Sequence, residues 1–96
     1  GEIKLDANRS ASNQHLGRIT GKWNGTDVSM IALQTGTDTT NKDDGFIEFR
    51  TRESGSSLTK RLEITTDGNV QIPADILRMA TKTNDEMYML VILIVG

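Results

Sequence analysis

Three glutamates, Glu48, Glu53 and Glu63, and three crowded aspartates, Asp38, Asp43 and Asp44, are the side chains with which this chain could do chemistry. Two carboxyl groups held about 5–10 Å apart in a cleft would suit glycoside hydrolysis. Glu63 alternates with Arg61, however, and cross-strand charge pairing on an outward, solvated face accounts for it without catalysis. The aspartates raise calcium binding, which in an EF-hand loop needs acidic or amide groups at alternate positions ahead of a glycine. Counting back from Gly45 meets Asp44, Lys42 and Thr40, so the pattern fails and a solvated loop is expected. His15 is the single histidine, with no second His or Cys to share a metal, and reads as a solvated surface residue. Gly17, Gly21 and Gly25 recur every four residues but make no phosphate-cradling Gly-x-Gly-x-x-Gly or Walker loop. No catalytic residue, cofactor or metal is expected. Trp23 beside Asn24 could stack on a sugar, and with Asp38, Asp43 and Asp44 it makes the candidate carbohydrate or receptor site. Burial of that indole against a neighbouring chain is the competing role.

The bulk numbers narrow the classes. Ninety-six residues make one domain, and a start at Gly1 reads as a processed product or a piece of something longer. Net charge is −2 with both signs interspersed, which leaves no electrostatic footprint for nucleic acid. Cysteine is absent, which removes disulfides and thiolate chemistry. Thr, Ser and Asn total 24 residues, and only 25 of the first 86 residues are apolar. A chain of this size with so few large side chains builds a thin core, so partner chains are expected to complete it. The N-terminus has no basic start followed by an apolar run, so no signal peptide is read there. Met87 to Val95 is nine apolar residues where a membrane span needs about 20, so it does not span. Its β-branched content suits a strand buried on both faces.

The elements that must position these residues read as strands. Ile3, Leu5 and Ala7 alternate with Glu2, Lys4 and Asp6, as a strand with one buried face does. Residues 16–23 and 28–34 flank Asn24-Gly25, a strong hairpin signal. Residues 35–44 are a polar loop, 45–53 alternate again, and Ser54–Ser57 is a turn. Leu58, Lys60, Leu62, Ile64 and Thr66 then share one face, with Thr59, Arg61, Glu63 and Thr65 on the other. Register requires an odd-length turn after them, or else no pairing of 58–66 with 70–72 within one chain, because a one-residue slip sends a whole face to the wrong side. A three-residue turn, Asp67-Gly68-Asn69, pairs Ile64 with Ile72 and keeps Leu62, Ile64, Val70 and Ile72 together, with Asn69 left-handed. Pro73 ends the strand. Residues 74–82 are the one helix-compatible stretch. The chain divides into a β-rich unit, 1–73, and a C-terminal segment, 74–96.

Gly45-Phe46-Ile47-Glu48-Phe49-Arg50-Thr51, a Ser/Gly turn, and Arg61-Leu62-Glu63-Ile64-Thr65-Thr66-Asp67-Gly68-Asn69-Val70 together resemble repeats in tail-fibre and tail-spike proteins of bacteriophages, marine ones especially. Gly17-Arg18-Ile19-Thr20-Gly21 and Ile31 to Gly36 fit the same pattern, so the resemblance covers roughly residues 15–72. It implies an all-β viral structural protein: short antiparallel strands and hairpins in an elongated, intertwined homotrimer, β-prism or triple β-helix-like. Ile19, Ile47, Phe49, Leu62, Ile64, Val70 and Ile72 would form the trimer core. The implied place is the virion tail, and the implied role is non-catalytic support of host attachment through a cell-surface glycan or protein. A monomeric carbohydrate-binding β-sandwich is the alternative. Two departures stand: Gln71-Ile72-Pro73 replaces the family's Gly-Ile-Gly-type continuation, and no self-cleaving C-terminal chaperone domain is recognisable.

Overall fold

Alternating strands separated by polar turns pair most readily with their neighbours in sequence, and here they do. The computed structural model describes residues 1–73. Five strands, β1 (His15–Trp23), β2 (Thr26–Thr35), β3 (Gly45–Arg52), β4 (Leu58–Ile64) and β5 (Val70–Gln71), form one antiparallel sheet in chain order. The all-β expectation holds, and no helix occurs among the described residues. The expected helix at 74–82 and the apolar stretch 87–95 lie outside them.

Each turn has a local cause. Asn24 and Gly25 take φ of 48° and 84° between the paired ends Trp23 and Thr26, the two-residue turn whose twist matches the strands it joins. The β3–β4 turn carries Gly55 at φ 78° and closes with the Ser56 N–H donating to the Glu53 carbonyl. The β4–β5 loop has odd length as expected, but it is Thr66-Asp67-Gly68. Gly68 takes the left-handed position (φ 89°) in place of Asn69, because glycine has no Cβ to clash there. The Thr65 N–H donates to the Asn69 carbonyl (2.9 Å), and the Asn69 N–H donates to the Thr65 hydroxyl (3.0 Å). That clasp starts the loop one residue earlier, so Ile64 pairs with Val70 and not with Ile72. Parity survives the shift.

Register defines two faces. On one, Ile19, Ile31, Phe49 and Leu62 form a row across four strands, and Leu33, Ile47, Ile64 and Val70 form the next. On the other, Arg18, Ala32, Glu48, Glu63 and Gln71 line up beside Thr20, Met30, Arg50 and Lys60. Full burial falls on the second face, for apolar and polar side chains alike. Met30, Ala32, Gln34 and Glu48, all on the second face, are buried, whereas Ile19 and Val70 on the apolar face are 60% and 52% exposed.

Two expectations are corrected. Residues 2–7 form no strand, although they alternate like one: no neighbouring segment hydrogen-bonds to them, and a lone strand has no stability of its own. The face assigned to Leu58, Lys60, Leu62 and Ile64 is not continuous either. A bulge at Arg61 interrupts the β3–β4 ladder, with Phe49 opposite Leu62 but Arg50 opposite Lys60. The extra residue transfers Lys60 and Leu58 to the polar side.

Candidate functional site

The bulge gathers charge. With Lys60 on the polar side, its Nζ lies 3.0 Å from Glu63 Oε1 and 3.8 Å from Glu48 Oε2. Arg50 donates to Glu48 Oε1 through Nη2 (2.6 Å) and Nε (3.1 Å). Glu48 and Glu63 sit directly opposite each other in the ladder, where like charges repel; two cations balance them. Glu63 is half-buried rather than on the outward, solvated face expected for it, and Glu48 opposite is only 4% exposed. The cluster borders an open groove of about 340 Å³ with Asn13, Thr37, Phe46 and Thr66 on its walls. Glu53 follows β3 and is exposed, away from both. The arrangement is a matched set of ion pairs. Breaking one member would leave a buried charge uncompensated, which is a structural role.

The aspartate loop consumes its own acceptors. Asp44 accepts the N–H groups of Thr37 and Asp38 (3.1 Å each), and its carboxylate fills the space a side chain at Gly36 would need. Asp38 accepts the Asn41 N–H (2.9 Å) and side-chain amide (3.0 Å) and the Thr40 N–H. The Asn41 backbone N–H is the largest cause holding the Asp38 carboxyl below its ordinary range, with the Asn41 side chain next. Asp43 is exposed. Among the described residues no three His, Cys, Asp or Glu side chains converge as a metal site.

The N-terminal segment straps this end of the sheet. Lys42 Nζ donates to Asn8 Oδ1 (2.6 Å), the Thr35 hydroxyl donates to the Ala11 carbonyl (2.8 Å), and Arg9 Nε donates to the His15 carbonyl (2.9 Å). Leu5 sits where a Cβ on Gly17 would be. A cleft of about 170 Å³ remains between the strap and the loop, bordered by Arg9, Leu16, Asp38 and Asp44. His15 is half-buried, with an enclosed Nδ1 that has no hydrogen-bond partner, and so differs from the solvated residue expected.

Trp23 and Asn24 stand at the other end. Trp23 is 79% exposed beside the β1–β2 turn, and ten-residue β2 separates it from Asp38 by about 30 Å at ~3.3 Å per residue. The structure therefore does not bring the candidate receptor residues into one site. It does bring together six of the seven expected core residues, Ile19, Ile47, Phe49, Leu62, Ile64 and Val70; Ile72 follows the last paired residue. Ile31 and Leu33 complete both rows and were absent from the expected core. Their signal lay in pairing β2 between β1 and β3, which a pattern read strand by strand does not contain. Arg50 and Lys60 were missed for the same reason.

No helix among the described residues is long and apolar enough to cross a membrane. Comparison with known proteins returns no matching family model, no matching curated protein and no matching solved structure.

Proposed function

We propose that this chain is a non-catalytic structural module, of the kind displayed in bacteriophage tail fibres, which three copies complete by turning their apolar sheet faces to a common axis. One observation carries the reading. The rows Ile19–Ile31–Phe49–Leu62 and Leu33–Ile47–Ile64–Val70 make a continuous apolar band four strands wide, with Ile19 and Val70 more than half exposed. A contiguous patch of that kind marks an interaction surface. Burying one aliphatic side chain fully contributes about 1.5–3 kcal/mol, so covering the band would outweigh the thin core of a lone chain. The number three and the placement at a virion tail rest on the resemblance of residues 15–72 to tail-fibre repeats. Sedimentation should give a mass near three times 10.6 kDa; a monodisperse monomer sinks the reading.

The exposed Trp23 favours a second reading, a monomeric carbohydrate-binding module in which the indole beside Asn24 is a stacking platform. A sandwich needs two sheets, and the described residues form one. The same indole serves the first reading as a host-glycan contact at a hairpin tip. Glycan-array binding lost in Trp23→Ala from a chain that sediments as a monomer would favour the module over the fibre.

A further inference from the structure

The sheet has an open edge whose complement lies elsewhere in the same chain. Among the described residues β1 has only β2 beside it, so one row of its backbone N–H and C=O groups meets no strand of residues 1–73. A copy of the same edge paired antiparallel about Thr20 would set Arg18 against Lys22, a like-charge pair that disfavours that register. Residues Glu2–Asp6 carry the pattern that fits the edge. Laid antiparallel, Glu2 faces Lys22, Asp6 faces Arg18 and Lys4 faces the neutral Thr20, while Leu5 meets Ile19 and Ile3 meets Gly21. Charges oppose on one side and apolar groups meet on the other. The antiparallel direction also continues the sheet's own.

Within one chain this pairing is not made. The ties at Asn8, Arg9 and Ala11 hold the strap across the end of the sheet, and Leu5 approaches Gly17 from the side on which its Cβ would stand, not from the edge. Ile3 is left 82% exposed. Among the described residues the ion pairs of Glu2 and Lys22 are local: Glu2 lies 3.8 Å from Lys4, and Lys22 Nζ lies 2.6 Å from Asp27 Oδ1. The second is an ion pair by distance, but its angles leave Asp27 Oδ1 without a geometric hydrogen bond.

We infer that Glu2–Asp6 of one copy forms the sixth strand of a second copy's sheet, antiparallel on β1. This rests on the assembly proposed above and adds a different contact to it. Such a contact is heterologous, edge to strap, and closes into a ring when three copies complete the rotation.

The absence of cysteine makes the test direct. A Leu5→Cys chain and an Ile19→Cys chain carrying different mass tags are mixed, allowed to exchange subunits and mildly oxidised. Directly opposed antiparallel residues place their Cα atoms about 4.5–5.5 Å apart, within the range of about 4.4–6.8 Å that a disulfide spans. The expected product is the mixed 5–19 disulfide well above its statistical share. Glu2→Arg with Asp6→Arg in the first chain should reduce it to that share, and Arg18→Glu with Lys22→Glu in the second should restore it. Assemblies of trimer mass with a statistical mixture, or with no cross-link, overturn the inference and leave the assembly standing. A monomer mass for the parent chain overturns both.

Discussion

Gly36 and Gly25 are both glycines for steric reasons, and the two reasons predict different costs. At Gly36 the Asp44 carboxylate already fills the position of a Cβ. Gly36→Ala must displace it and release the Thr37 and Asp38 N–H groups, so a loss of about 1–3 kcal/mol is expected in urea unfolding. Asp38 and Asp67 set the pH behaviour of their loops. Asp67 is held below the usual carboxylate range chiefly by the Thr65 hydroxyl, and Asp38 chiefly by the Asn41 N–H. A lowered folded pKa means stability that is fully present above the ordinary carboxylate value and is lost as pH falls through the folded value. Asp67 is exposed and Asp38 only partly covered, so solvent screens both and the effect is small. Carboxyl NMR titrations should show both midpoints below the usual range; ordinary midpoints would contradict these hydrogen bonds.

At the scale of elements, turns set the register and a bulge redistributes the side chains. Gly25 has open space around it, so Gly25→Ala carries only the backbone cost of the left-handed position, about 1 kcal/mol. Thermal or urea unfolding checks this, and a loss as large as that at Gly36 would show that more than φ is involved. The Asn-Gly turn was legible in the sequence because two adjacent residues contain all of its chemistry. The β4–β5 loop was legible in parity but not in position. Keeping Leu62, Ile64 and Val70 on one face demands an odd loop, whereas the choice of Thr66 over Asp67 as its start depends on the Thr65–Asn69 clasp. The Arg61 bulge was not legible at all, since nothing local distinguishes an extra residue from an alternating one until β3 lies beside it.

Across the whole molecule, the fully buried side chains lie on the face opposite the apolar band, and the proposed assembly turns on that band. The apolar band is open while Glu48, opposite Glu63 and reached by Arg50 and Lys60, is enclosed. Ile31→Lys places a charge mid-band at a residue already partly exposed, so the isolated sheet should keep its far-UV circular dichroism. The solution mass should fall to that of a single chain at concentrations where the parent assembles. A trimer that persists in this variant would count against the band as the interface.

Strand content, the polarity of the 36–44 loop and the Asn24-Gly25 hairpin follow from the sequence by itself, because side-chain alternation and turn chemistry act over two to ten residues. Only the tertiary structure decided the rest. Whether residues 2–7 have a strand to pair with, which side Lys60 takes, and whether Trp23 stands near the aspartate loop all depend on which strands are neighbours. Pairing joins residues distant in the chain, and the side on which each residue falls changes with every bulge between them.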